Sequence, residues 1–77
     1  MKVEVFAVLK DHFDKKFEVN ESIATPEELR NFLIDSKPEA RAVLSNSRFA
    51  VNDEFVEMNF KLNSNDTIFI LPPSSGG

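Results

Sequence analysis

Few side chains in this chain could do chemistry, and their spacing is poor. Cysteine is absent, so no thiol can carry sulfur and no disulfide can staple the fold. His12 is the single histidine, flanked by Asp11 and Asp14. A structural zinc site takes about four ligands, so His12 is expected to be a solvated loop residue and no metal site is expected. Ser45, Ser47, Ser64, Ser74 and Ser75 all fall in apparent turns or at the end of the chain, and none has a legible general base beside it. Glu54 and Glu57 sit on a hairpin pattern and read as surface charges. A glycine-rich phosphate loop is excluded because the only two glycines are Gly76 and Gly77. An enzyme acting through its own side chains is therefore not expected.

The two glycines are the exception. At an average usage of about 7% a chain of this length would hold roughly five, yet every internal turn manages without one. A Gly-Gly end lacks Cβ atoms and can enter a cleft too narrow for other residues. It presents a carboxylate with minimal bulk, which a partner could activate by adenylation and convert to a thioester, an isopeptide or a thiocarboxylate. Ser74-Ser75-Gly76-Gly77 also fits a flexible linker or an appended scar. Against that, it follows directly on a strand pattern and the stop Pro72-Pro73.

The 77 residues allow one small domain, with hydrophobic residues at 42% for its core. The organisation expected is a domain over 1–73 followed by a mobile tail, 74–77. The net charge of −4 comes from interspersed charges without a basic stripe, which argues against nucleic-acid binding. No stretch is long and apolar enough to span a membrane or to read as a signal peptide, so a cytoplasmic protein is expected.

The elements that would position the tail follow from periodicity. Residues 2–9 read as a strand in which Val3, Val5 and Ala7 alternate with Lys2, Glu4 and Phe6. A polar turn, Asp11 to Asp14, leads to a second strand at Lys16–Val19 and implies an antiparallel hairpin. Thr25, Pro26 and Glu28 form a capping box, in which the Thr oxygen accepts from a free backbone amide and the Glu reaches back. Leu29, Phe32 and Leu33 supply the apolar stripe of the helix, and Pro38 stops it by about Ser36. A shorter helix is expected over 38–44. Arg48–Val51 and Glu54–Val56 read as strands joined by Asn52-Asp53, residue types that tolerate positive φ. After a turn at Asn63–Asp66, the apolar Thr67–Leu71 suits the middle of a sheet, and Pro72-Pro73 ends it.

This order predicts an α+β fold of the ubiquitin-like β-grasp kind: a mixed five-stranded sheet, one main helix across one face, and a short second helix. The last strand is expected to run parallel to the first. The expected core comprises Val3, Val5, Phe17, Val19, Ile23, Leu29, Phe32, Leu33, Phe49, Val51, Phe55, Ile68 and Ile70. If Ile68 and Ile70 point at the helix, Phe69 and Leu71 point away, as do Phe6, Val8, Arg48 and Ala50 on the neighbouring strands. No second helical layer remains to cover that side. Phe6, Ala50, Phe69 and Leu71 are thus expected to form an apolar patch that a protein partner covers.

Three stretches resemble the small subunit of molybdopterin synthase, the MoaD-type sulfur carriers, and together they span the chain in order. Val5-Phe6-Ala7-Val8-Leu9-Lys10 is similar to that family's first strand, with its aromatic-Ala-x-Leu-basic run. Phe49-Ala50-Val51-Asn52-Asp53-Glu54-Phe55-Val56 is similar to its Val-Ala-Val-Asn-x-Glu-aromatic-Val hairpin. Ile70-Leu71-Pro72-Pro73-Ser74-Ser75-Gly76-Gly77 is similar to its Phe-Pro-Pro-Val-Ser-Gly-Gly ending. Leu71 replaces the usual Phe, Ser74 replaces a small apolar residue, and Asn65 stands where a turn glycine is typical.

The resemblance implies a non-catalytic, sulfur-donating subunit of a heterotetrameric complex. An E1-like enzyme would use ATP to adenylate Gly77, and the chain itself would bind no cofactor. Sulfur transfer would then give a Gly77 thiocarboxylate. The carrier would dock Phe6, Ala50, Phe69 and Leu71 on the large catalytic subunit. Pro72, Pro73, Ser74, Ser75 and Gly76 would lead Gly77 into that subunit's active site, where sulfur passes to a pterin precursor. Other readings are a thiamin-pathway carrier, a ubiquitin-like modifier forming an isopeptide through Gly77, and a β-grasp domain that only binds.

Overall fold

In the computed structural model, which describes residues 1–73, the main helix begins where its capping signal lies. The backbone N–H of Glu28 donates to Thr25 Oγ1 at 3.2 Å, with Thr25 extended at φ −141°. Glu28 answers by accepting from the N–H of Ala24 at 2.9 Å, one residue ahead of the cap. Pro26 occupies the first helical position, where no amide is needed. Helix α1 runs Pro26–Ser36 and ends where Lys37, held extended by the following Pro38, donates its N–H to Leu33 O at 2.9 Å. A short 3-10 turn, Pro38–Ala40, leads into helix α2, Arg41–Ser45.

The five strands are β1 (Lys2–Val5), β2 (Lys16–Glu18), β3 (Arg48–Val51), β4 (Glu54–Val56) and β5 (Thr67–Leu71). They form one mixed sheet in the order β2-β1-β5-β3-β4, with β5 central, parallel to β1 and antiparallel to β3. The β3–β4 hairpin turns through Asn52 (φ 53°) and Asp53 (φ 69°), two residues that accept left-handed backbone. Asn65 does not adopt positive φ. Its turn is closed instead by Asp66 N–H donating to Asn63 O at 3.0 Å and Asn63 N–H donating to Asp66 Oδ2 at 2.8 Å.

The first strand is shorter than the expected 2–9. It stops at Val5, and Ala7–Asp11 coil into a 3-10 turn. The break is at Ala7, whose φ of 54° cannot continue a strand. The turn swings Leu9 into the core and leaves Val8 exposed. Phe13, in the segment expected to be a polar turn, packs against the core and stacks on Phe17, with ring centroids 5.8 Å apart.

The core lies between the sheet and α1. Val3, Val5, Val19, Leu29, Leu33, Phe49, Val51, Ile68 and Ile70 are buried as expected, and Leu9, Ala40 and Leu44 join them. Phe17, Ile23 and Phe32 are partly buried at its margin. Phe55 is the one clear reversal, at 53% exposure. The two-residue turn pairs Val51 with Glu54, Ala50 with Phe55 and Phe49 with Val56. Directly paired residues share a face, so Val56 follows Phe49 inward while Phe55 follows Ala50 outward.

Candidate functional site

The expected tail, Ser74–Gly77, lies outside the described residues. What the structure places is the strand that leads to it. Strand β5 is anchored from the helix side by Ile68 and Ile70, both fully buried. Its other side carries Thr67, Phe69 and Leu71, each half-buried on the sheet face that no helix covers.

Across that face, register assembles an apolar row. Phe69 is paired with Ala50, and Ala50 with Phe55. Phe6 continues the extended backbone one residue past β1 (φ −132°, ψ 160°) and meets Phe69 edge to face, with centroids 5.9 Å apart and planes at 69°. The expected patch residues Phe6, Ala50, Phe69 and Leu71 are thus brought together, with Phe55 added. Ala50 is not itself open, however. It is only 6% exposed, because its methyl group lies between the larger side chains of Phe69 and Phe55. It forms the floor of the patch.

Arg48 closes the row at its upper edge. It is paired with Leu71, and its guanidinium carbon sits 3.9 Å from the centroid of the Phe55 ring, within range of a cation–π contact. The sequence does not announce this contact, because the apolarity of Phe55 points to an inward position. The other half of the face is charged: Lys2 pairs with Glu18, and Glu4 with Lys16. The chain leaves the face at Leu71 through half-buried Pro72 and exposed Pro73.

The remaining candidates are not gathered into a site. His12 ends the 3-10 turn, half-buried rather than solvated, with its backbone N–H donating to Leu9 O at 3.1 Å. Among the described residues, no group of three or more His, Asp or Glu is placed to hold a metal ion. Ser47 Oγ donates to Val43 O at 2.7 Å, and Glu54 and Glu57 are exposed. Among the described residues, no helix is long and apolar enough to cross a membrane.

A helix laid across a five-stranded mixed sheet with β5 at its centre defines a β-grasp fold. The ThiS family matches residues 3–77, and the chain belongs to that family. The molybdopterin synthase sulfur carrier subunit of Dictyostelium discoideum is 45% identical over 42 residues, covering 52% of this chain and 49% of that protein. The chain thus spans about half the length of this curated relative. A chain of the complex of subunits 1 and 2 of the molybdopterin-converting factor from Helicobacter pylori superposes with a TM-score of 0.70 at 27% identity, covering 99% of this chain and 96% of that one. SAMP1 from Haloferax volcanii superposes with a TM-score of 0.80 at 20% identity, covering 99% of this chain and 97% of that one. At that identity the second likeness speaks for the fold alone.

Proposed function

We propose that this chain is the sulfur carrier subunit of a molybdopterin synthase and that its working group is the Gly77 carboxylate. The observation that carries the reading is the continuity of face and ending. Leu71 is both the last residue of the apolar face and the last residue of the central strand. The four residues after Pro73 reach at most about 14 Å when extended, so a partner seated on the face would have its active site within range of Gly77. The Dictyostelium relative and the Helicobacter complex favour the molybdopterin pathway over the thiamin one.

The chemistry follows from the poor reactivity of a carboxylate. An E1-like adenylating enzyme lets the Gly77 carboxylate attack the α-phosphorus of ATP, with pyrophosphate leaving. Sulfide-level sulfur from a donor then attacks the acyl carbon, AMP leaves with its electron pair, and a thiocarboxylate remains. Docked on the large subunit in the cytoplasm, the thiocarboxylate sulfur attacks a carbon of the pterin precursor and displaces an oxygen leaving group from it; water then cleaves the acyl–sulfur bond, which leaves the sulfur on the pterin and restores the Gly77 carboxylate. This chain supplies the docking face and the ending, while the partners supply ATP binding and the acids and bases.

Intact mass of the protein from its own host tests the reading. The expected result is a species heavier by the replacement of one oxygen with sulfur, and its loss on deleting Gly77 with no change in melting temperature. A ladder of lysine conjugates would assign the chain to protein modification instead. A Gly77 deletion that still supports synthesis would refute the tail chemistry.

A further inference from the structure

We infer that Arg48 is a specificity-determining residue of the open face: it admits a protein partner that brings a carboxylate beside an apolar contact surface. The inference rests on the docking reading above and says what the docked surface must contain. Arg48 is exposed, and among the described residues it has no carboxylate at ion-pair distance and no hydrogen-bond acceptor for its side chain. The nearer acid on the same face, Glu4, lies on β1, two strands away across β5, and Glu18 lies one strand further still on β2. At one strand spacing each, even Glu4 is roughly 10 Å away, too far to pair.

The guanidinium is nevertheless held in place. It lies over the Phe55 ring, which contacts its apolar face and leaves the N–H donors free of described partners. A long side chain already positioned in this way loses less freedom when a partner arrives. It also cannot be avoided. Any surface that covers Phe69 and Leu71 must cover Arg48 as well, since Leu71 is its register partner and Phe55 completes the row. Removing a cation from water without a partner is costly, and the matching acceptor for a planar fork of donors is a carboxylate. The same cost excludes apolar or basic surfaces that would otherwise fit the patch.

The test is titration calorimetry of the large subunit of molybdopterin synthase from the same organism against the wild-type chain, Arg48→Lys, Arg48→Met and Phe69→Asp. Each chain is also melted alone and sedimented alone. Arg48→Met keeps an apolar stem without charge and is expected to weaken binding at least tenfold. Arg48→Lys should fall between, and neither change should lower the melting temperature by more than about 6 °C, the loss of one exposed cation–π contact. Arg48→Met binding as well as wild type, while Phe69→Asp does not bind, would overturn the role of Arg48 and leave the docking reading standing. A wild-type chain that fails to bind the large subunit would overturn both. A self-dimer abolished by Phe69→Asp would assign the face to a second copy and overturn the inference.

Discussion

Ile68 and Phe69 are neighbours on the central strand, and replacing each with alanine should damage different properties. Ile68 is fully buried, paired in register with Val3 on one side and Val51 on the other. Truncating a buried aliphatic side chain of this size costs about 2 to 5 kcal/mol, because the cavity closes only in part. Unfolding a 77-residue chain releases about 0.16 kcal/mol/K at roughly 2.1 cal/mol/K per residue. Each kcal/mol therefore moves the melting temperature by about 6 °C, and Ile68→Ala should lower it by about 12 to 30 °C. Phe69 is half-exposed, and its main specific contact is the edge-to-face pair with Phe6. Such a pair is worth about 0.5 to 1.5 kcal/mol, so Phe69→Ala should lower the midpoint by only about 3 to 9 °C. Binding should show the reverse order. Phe69→Ala should cost more than 1 kcal/mol in affinity for the large subunit, as an interface anchor does, while Ile68→Ala measured well below its midpoint should cost little. Circular-dichroism melts and titration calorimetry read both quantities. Equal loss of stability in the two variants, or a binding loss confined to Ile68→Ala, would refute the assignment of the two sheet faces.

Two further outcomes test the turn at Ala7 and the division of labour. Ala7 sits at φ 54°, a conformation that costs a residue with a Cβ about 1 to 2 kcal/mol. Ala7→Gly, offset by about 0.4 to 1 kcal/mol of extra chain entropy, should leave the melting temperature unchanged or raise it slightly, whereas Ala7→Val should lower it. A Gly77 thiocarboxylate prepared chemically should react with precursor and large subunit at single-turnover rates that agree within a few-fold for wild type, His12→Ala and Glu54→Gln. Loss of a general acid or base would cost about 100-fold or more, so a drop of that size with normal binding would show that this chain contributes a catalytic group.

Helix α1 was legible because its signals are local: a cap at Thr25, a proline at the first position and a proline two residues past the end act within one turn. The β3–β4 hairpin was legible for the same reason, since Asn52 and Asp53 fix the turn without reference to the rest of the fold. The errors came where a local pattern had two solutions. Alternation alone extended β1 to residue 9, because nothing in Phe-Ala-Val-Leu announces that alanine, not glycine, takes the left-handed position. Three residues of β4 were too few to set their own phase, so Phe55 was placed inward on its apolarity. The information was nonetheless present. A two-residue turn obliges residue 50 to face 55, and once Ala50 was assigned outward Phe55 had to follow. With Phe55 recovered, the cation on Arg48 acquires its seat.

The apolar face has a signature of its own, legible without a motif. A central strand covered on one side only should alternate, apolar toward the helix and polar toward water. Strand β5 does not: after Thr67, the outward positions Phe69 and Leu71 are as apolar as the inward Ile68 and Ile70. A strand apolar on both sides needs two covering layers, and the described residues supply one, built from α1 and its short companion α2. The proposed docking on a large subunit would supply the second layer. The rest of the sheet supports this: outward Phe6 flanks β5 on one side and Phe55, beyond Ala50 of β3, extends the row on the other, while the outward residues of β2 are Lys16 and Glu18. The surplus of apolar residues is therefore confined to the part of the sheet nearest the exit at Pro72. That is where a partner must sit if the four residues beyond Pro73 are to reach its active site.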